Sequence, residues 1–145
     1  MALNWYAVKT VYRVSTLGRA RNSDKGYDHA STLVEERIVL FRARSFDSAT
    51  RKADLEARRY VRGKRRNVYD QRIVIRYLGE ADAFELFDPP ANGREVYSRT
   101  DLVDRTVSDR DVVKAALGPR DRKGDEDRRR KFIDGALARK LWPNA

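Results

Sequence analysis

Cysteine is absent and histidine occurs once in the 145 residues. Disulfides, thiolate zinc sites, iron–sulfur clusters and cysteine nucleophiles are therefore excluded, as is any site built from several histidines. No apolar run approaches the length of a membrane span, about 20 residues. Met1 to Arg13 has no basic stretch followed by an apolar one, so no secretory signal is expected and the chain reads as soluble and cytoplasmic. Glycine-rich phosphate loops are missing: there is no Gly-x-Gly-x-x-Gly, and Gly63-Lys64 lacks the upstream Gly and the following Ser or Thr of a P-loop. His29 stands alone in a polar segment, without the nucleophile and orienting acid that a triad needs. No cofactor, no metal and no enzymatic activity are expected.

What the chain has is charge and aromatics. Lys and Arg number 32 against 22 Asp and Glu, a net charge of +10, and 41% of the residues are hydrophobic, with seven Tyr, five Phe and two Trp. A wholly disordered chain would be poorer in aromatic and β-branched residues.

Asn4 to Val14 alternates, with Tyr6, Val8, Thr10, Tyr12 and Val14 on one parity and Trp5, Lys9 and Arg13 on the other, which predicts a strand with one buried face. Ser15 to Ser31 has no apolar period and reads as a loose exposed loop. Leu33 to Arg44 is apolar on both parities at its centre, which predicts an interior strand covered on both sides, with Glu35-Glu36-Arg37 as a salt-bridged end. Ser45 is an N-cap with Asp47 behind it, and Phe46, Ala49, Ala53, Ala57, Tyr60 and Val61 form one helical stripe that Gly63 ends. Asn67 to Leu78 predicts a third strand. A turn at Gly79 to Asp82 leads to a fourth at Phe84 to Phe87, and a fifth runs from Val96 to about Val103. Ser108 opens a short helix that Gly118-Pro119 stops.

The expected fold is α+β: one antiparallel-rich sheet of about five strands, in the order β-β-α-β-β-β, with a helix on one face and C-terminal helices. Residues 1–107 form that domain, 108–118 the short helix, 119–131 a charged linker and 132–145 an amphipathic helix; Arg120 to Lys131 has no apolar residue and reads as a linker or as the solvated start of a helix.

Three stretches carry a resemblance. They are Asn4-Trp5-Tyr6-Ala7-Val8-Lys9; Glu35 to Leu40 leading into Ala43-Arg44-Ser45-Phe46-Asp47-Ser48-Ala49; and Phe84-Glu85-Leu86 followed by Glu95-Val96-Tyr97-Ser98-Arg99. In order and spacing the chain resembles, over about Asn4 to Leu102, the small bacterial family known as domain of unknown function 4288. The resemblance implies a fold and a bacterial source, and no active-site residues.

The strongest chemical signal is Arg58, Arg59, Arg62, Lys64, Arg65 and Arg66, six cations in nine residues with no acid between them. One or two cations complement a helix C-terminus; six repel one another, and an anionic partner would relieve that repulsion. Arg42, Arg44, Arg72 and Arg76 extend the patch if their strands are neighbours, and Tyr69 and Tyr77 are possible stacking surfaces. The expected function is a non-catalytic module that contacts nucleic-acid phosphates. One alternative is an adaptor, or an immunity- or antitoxin-like partner, docking through its sheet or through Phe132, Ile133, Leu137, Leu141 and Trp142 of the last helix. The other is a metal-dependent hydrolase using carboxylates among Glu35, Glu36, Asp70, Glu85 and Glu95.

Overall fold

The computed structural model describes residues 2–25, 27, 30–118 and 125–132. The linker residues 119–124 and the greater part of the expected last helix, 133–145, lie outside them. Strands β1 (Asn4–Leu17), β2 (Leu33–Ala43), β3 (Arg65–Arg66) and β4 (Arg72–Glu85) form one antiparallel sheet in the order β2-β1-β4-β3. Helix α1 (Phe46–Tyr60) packs on one face, and α2 (Asp109–Leu117) and α3 (Asp125–Phe132) follow. The α+β class stands as expected.

The alternation in β1 produces the core. Tyr6, Val8, Thr10, Tyr12 and Val14 are buried beneath α1. The helix offers Ala49, Ala53 and Ala57 on its inner stripe, all essentially inaccessible, so its backbone approaches the sheet closely. Ser45 caps it by accepting from the Ser48 amide at 3.1 Å. Phe46 is half exposed but sets its ring edge-on to Tyr6, with centroids 5.2 Å apart. Leu55, off the stripe, is 65% exposed.

Three expectations need correction. First, β2 is an edge strand, not an interior one. Its odd residues turn toward α1, while Val34, Glu36, Ile38, Leu40 and Arg42 are exposed on the open face; its apolar centre on both parities disguised this. Second, the turn at Gly79 to Asp82 is a bulge inside one long strand. Opposite β1, Thr10 pairs with Ala81 and Tyr12 with Tyr77, so two extra residues of β4 are accommodated, with Gly79 at φ +79°. Third, the segment around Val96 to Val103 has no regular secondary structure and pairs with no strand among the described residues, whereas Arg65–Arg66 forms a short strand too brief for alternation to reveal. Part of the charged segment is helical, as α3, which is one of the two readings its composition allows.

The long loop is also tied down rather than loose. The Arg21 amide donates to the Tyr69 carbonyl at 2.8 Å, and the Tyr69 hydroxyl donates to Asp24 at 2.8 Å. Gln71 donates to the Gly18 carbonyl at 3.0 Å, and Tyr27 stacks edge-on against Tyr69. From α3, Lys131 reaches the same Asp24 at 2.8 Å. His29 lies outside the described residues.

Candidate nucleic-acid interface

Strand pairing sorts the basic residues onto two sides of the sheet. Arg65 pairs with Ile73, which is buried and shares its parity with Ile75 and Tyr77 on the helix side of the sheet, so Arg65 belongs to that side; its guanidinium lies 5.0 Å from the Tyr60 ring. Arg58 is bound to Asp54 one turn back at 2.9 Å. Arg59, Arg62 and Lys64 are exposed around the end of α1 and make no ion pair among the described residues. The cation run is thus partly answered from within: Arg58 and Arg65 have partners of their own.

Arg66 belongs to the opposite side. It pairs across the ladder with Arg72, and Arg72 and Arg76 share the open face of β4. At four residues along a strand they are about 13 Å apart. Arg13 of β1 stands directly opposite Arg76 on that face. Beside them the loop after β1 closes a pocket of about 480 Å³, lined by Leu17, Arg19, Arg21, Arg66, Asp70 and Arg72. Its one acid, Asp70, receives Arg66 at 3.2 Å and Arg21 at 3.5 Å. Arg13, Arg19, Arg72 and Arg76 have no ion pair among the described residues. Like charges directly opposite in a sheet destabilise it, and here two such pairs, Arg13 with Arg76 and Arg66 with Arg72, sit side by side.

The structure therefore brings together Arg66, Arg72 and Arg76 and adds Arg13, Arg19 and Arg21. The sequence reading missed the added three. Arg13 had been seen only as the polar parity of its strand, and Arg19 and Arg21 lay in a segment read as loose. The pairing of β1 with β4, which unites them, is a long-range contact with no local signature. Tyr69 and Tyr77 serve the interior: Tyr69 is buried, and Tyr77 stacks at 5.6 Å from Tyr12.

The other end of the open face is covered. Tyr97 lies over it, donating to Asp82 and placing its ring near Phe84 and Lys9. Burial, reinforced by the hydrogen bond to Asp82, pushes the Tyr97 hydroxyl up to about 12, so it stays protonated. Lys9 binds Glu36 at 2.8 Å. The bare arginine field and the covered end thus share one surface.

The carboxylates considered for metal chemistry are dispersed. Glu35 accepts from Tyr60 on the helix side, Glu36 holds Lys9 on the open face, Asp70 lies in the arginine pocket and Glu85 accepts from Asn4. Among the described residues no three metal-ligating side chains gather, and no helix is long and apolar enough to cross a membrane. Of the docking residues expected on the last helix, Ile133, Leu137, Leu141 and Trp142 lie outside the described residues, and Phe132 is the last residue of α3.

Comparison with known proteins places this surface within a family. The model of the family described as Domain of unknown function (DUF4288) matches residues 5–98. That span takes in the sheet except for Asn4, together with α1 and Tyr97, and leaves α2 and α3 outside. No curated protein matches, and no solved structure matches.

Proposed function

The chain belongs to that family of unknown function, and from this premise we propose that it is a non-catalytic module whose open sheet face binds the phosphates of a nucleic acid. The observation that carries the reading is the placement of Arg13 opposite Arg76 and of Arg66 opposite Arg72, beside Arg19 and Arg21, with Asp70 the one carboxylate in the pocket. Folding alone does not call for this arrangement: Asp70 answers Arg66, but Arg13 and Arg76 oppose each other with no carboxylate partner among the described residues and work against the sheet. A row of phosphates laid along β4 would neutralise the field and release condensed counterions. The net charge of +10 draws such a polyanion from a distance. Arg59, Arg62 and Lys64 at the end of α1 contribute attraction without defining the contact.

A salt titration of binding to single-stranded and duplex oligonucleotides tests this. Four to six engaged arginines give a slope of log affinity against log salt of about −3 to −5. A chain that binds neither DNA nor RNA at low salt, or whose affinity does not fall with salt, contradicts the reading.

A further inference from the structure

We propose that the free edge of β2 pairs with β2 of a second copy of this chain, antiparallel and centred on Val39, joining two sheets into one. This rests on the edge itself and is independent of the nucleic-acid reading.

An exposed strand edge is a template for another strand, and proteins usually blunt it with charged side chains, proline, a bulge or a short length. β2 has no proline, no bulge and no short length; its charges are Glu35 and Arg37 on the helix side and Glu36 and Arg42 on the open face, with an uncharged run from Ile38 to Phe41 between them. It runs for 11 residues, contains no Pro, Gly or Lys, and pairs with β1 without interruption. Val34, Ile38 and Leu40 are 63%, 48% and 38% exposed along it.

The backbone polarity of that edge is fixed by two contacts. The Trp5 carbonyl accepts from the Leu86 amide at 2.9 Å, so the odd residues of β1 bond toward β4 and the even ones toward β2. The odd residues of β2 then bond inward and the even ones outward. The Arg42 carbonyl agrees, since it accepts from Lys52 of α1 instead of from β1. The outward groups left free therefore belong to Val34, Glu36, Ile38 and Leu40, since Lys52 already holds the Arg42 carbonyl; the side chains of these residues and of Arg42 occupy the open face.

Written about Val39, that set is self-complementary. A two-fold antiparallel pairing puts Ile38 against the second copy's Leu40 and Glu36 against its Arg42, and each contact occurs twice. Opposed residues are then both outward-bonding, as a ladder requires. Centring the pair on Arg37, Ile38, Leu40 or Phe41 instead sets Glu36 or Arg42 against an apolar side chain. The two-fold axis stands perpendicular to the sheet, so both arginine fields face the same way.

Sedimentation equilibrium of the full chain tests the proposal. The expected result is a reversible dimer. Glu36→Arg and Arg42→Glu each place like charges opposite one another twice and weaken the dimer about tenfold, with circular dichroism showing an intact fold. Mixing these two variants restores a dimer, because each Arg then meets a Glu. Ile38→Lys, at an exposed position outside both ion pairs, gives the same weakening if a charge variant fails to fold. A wild-type monomer at every attainable concentration overturns the proposal. So does a dimer indifferent to these substitutions or to mixing.

Discussion

Arg13 of β1 and Arg76 of β4 face each other directly across the ladder, both exposed and neither paired with a carboxylate among the described residues. Their Cβ atoms are then about 5 Å apart. Such a pair costs stability and gains nothing from the rest of the molecule. Replacing Arg76 by Thr, a good strand former, is therefore expected to stabilise the protein by about 0.5 kcal/mol while weakening nucleic-acid binding. Urea unfolding and anisotropy on the same sample measure the two effects, whose opposite signs distinguish a binding residue from a structural one.

Arg37 gives the contrary case. It lies half-buried beneath α1, bidentate to Glu56 at 2.8 and 3.1 Å, with its guanidinium 3.6 Å from the Tyr60 ring and a further bond to the Tyr12 hydroxyl at 3.2 Å. Burial works against its charge, but the bonds to Glu56 and Tyr12, with the negative charge of Glu56, together outweigh it and hold its pKa above the ordinary arginine value. Glu56→Ala strands the cation and is expected to destabilise by about 2–3 kcal/mol. Glu36→Ala, which breaks the more exposed Lys9 pair, costs under about 1 kcal/mol. Denaturant midpoints of the two variants check the ranking.

Tyr69 anchors the long loop. Tyr69→Phe removes the 2.8 Å bond to Asp24 while keeping the contact with Tyr27, and is expected to cost about 1 kcal/mol. Hydrogen exchange at the Arg21 amide, which donates to the Tyr69 carbonyl, rises in the variant. Because Arg19 and Arg21 line the pocket, affinity for oligonucleotides falls with it.

Alkaline pH should unfold the protein through its tyrosines. Burial, then the bond to Asp24, raises Tyr69 from the ordinary 10.0 to about 12, and Tyr97 is raised to about 12 by burial and Asp82. Between these values the unfolded chain has released protons that the folded chain retains. Stability is therefore fully present below pH about 10 and is lost as pH rises toward about 12. Unfolding free energy measured across that range shows the decline, and Tyr69→Phe makes it shallower.

The sequence made the helix side legible. One parity of β1, the Ala stripe of α1 and the Ser45 cap are local patterns, and each was found where periodicity put it. The open face was harder to read. Whether Leu33 to Arg44 lay inside the sheet or at its edge depended on which strand reached β1 from the other side, and β4 comes from 55 or more residues away in the chain. The bulge at Gly79 mimicked a turn because a positive φ serves both. Half of the arginine site was visible as Arg66, Arg72 and Arg76. The rest, Arg13, Arg19 and Arg21, was joined to it only by pairing and by the Tyr69 and Gln71 anchors.

The most direct test compares two triple substitutions by anisotropy with one oligonucleotide across a salt series. Arg13, Arg72 and Arg76 changed to Gln remove open-face charge, whereas Arg59, Arg62 and Lys64 changed to Gln remove as much charge from the end of α1. The account expects the first to lose more than about tenfold in affinity and to flatten the salt slope by roughly 2 to 3, and the second to lose far less. Equal losses would mean that net charge alone drives binding, and a larger loss at the end of α1 would move the site to the other side of the sheet.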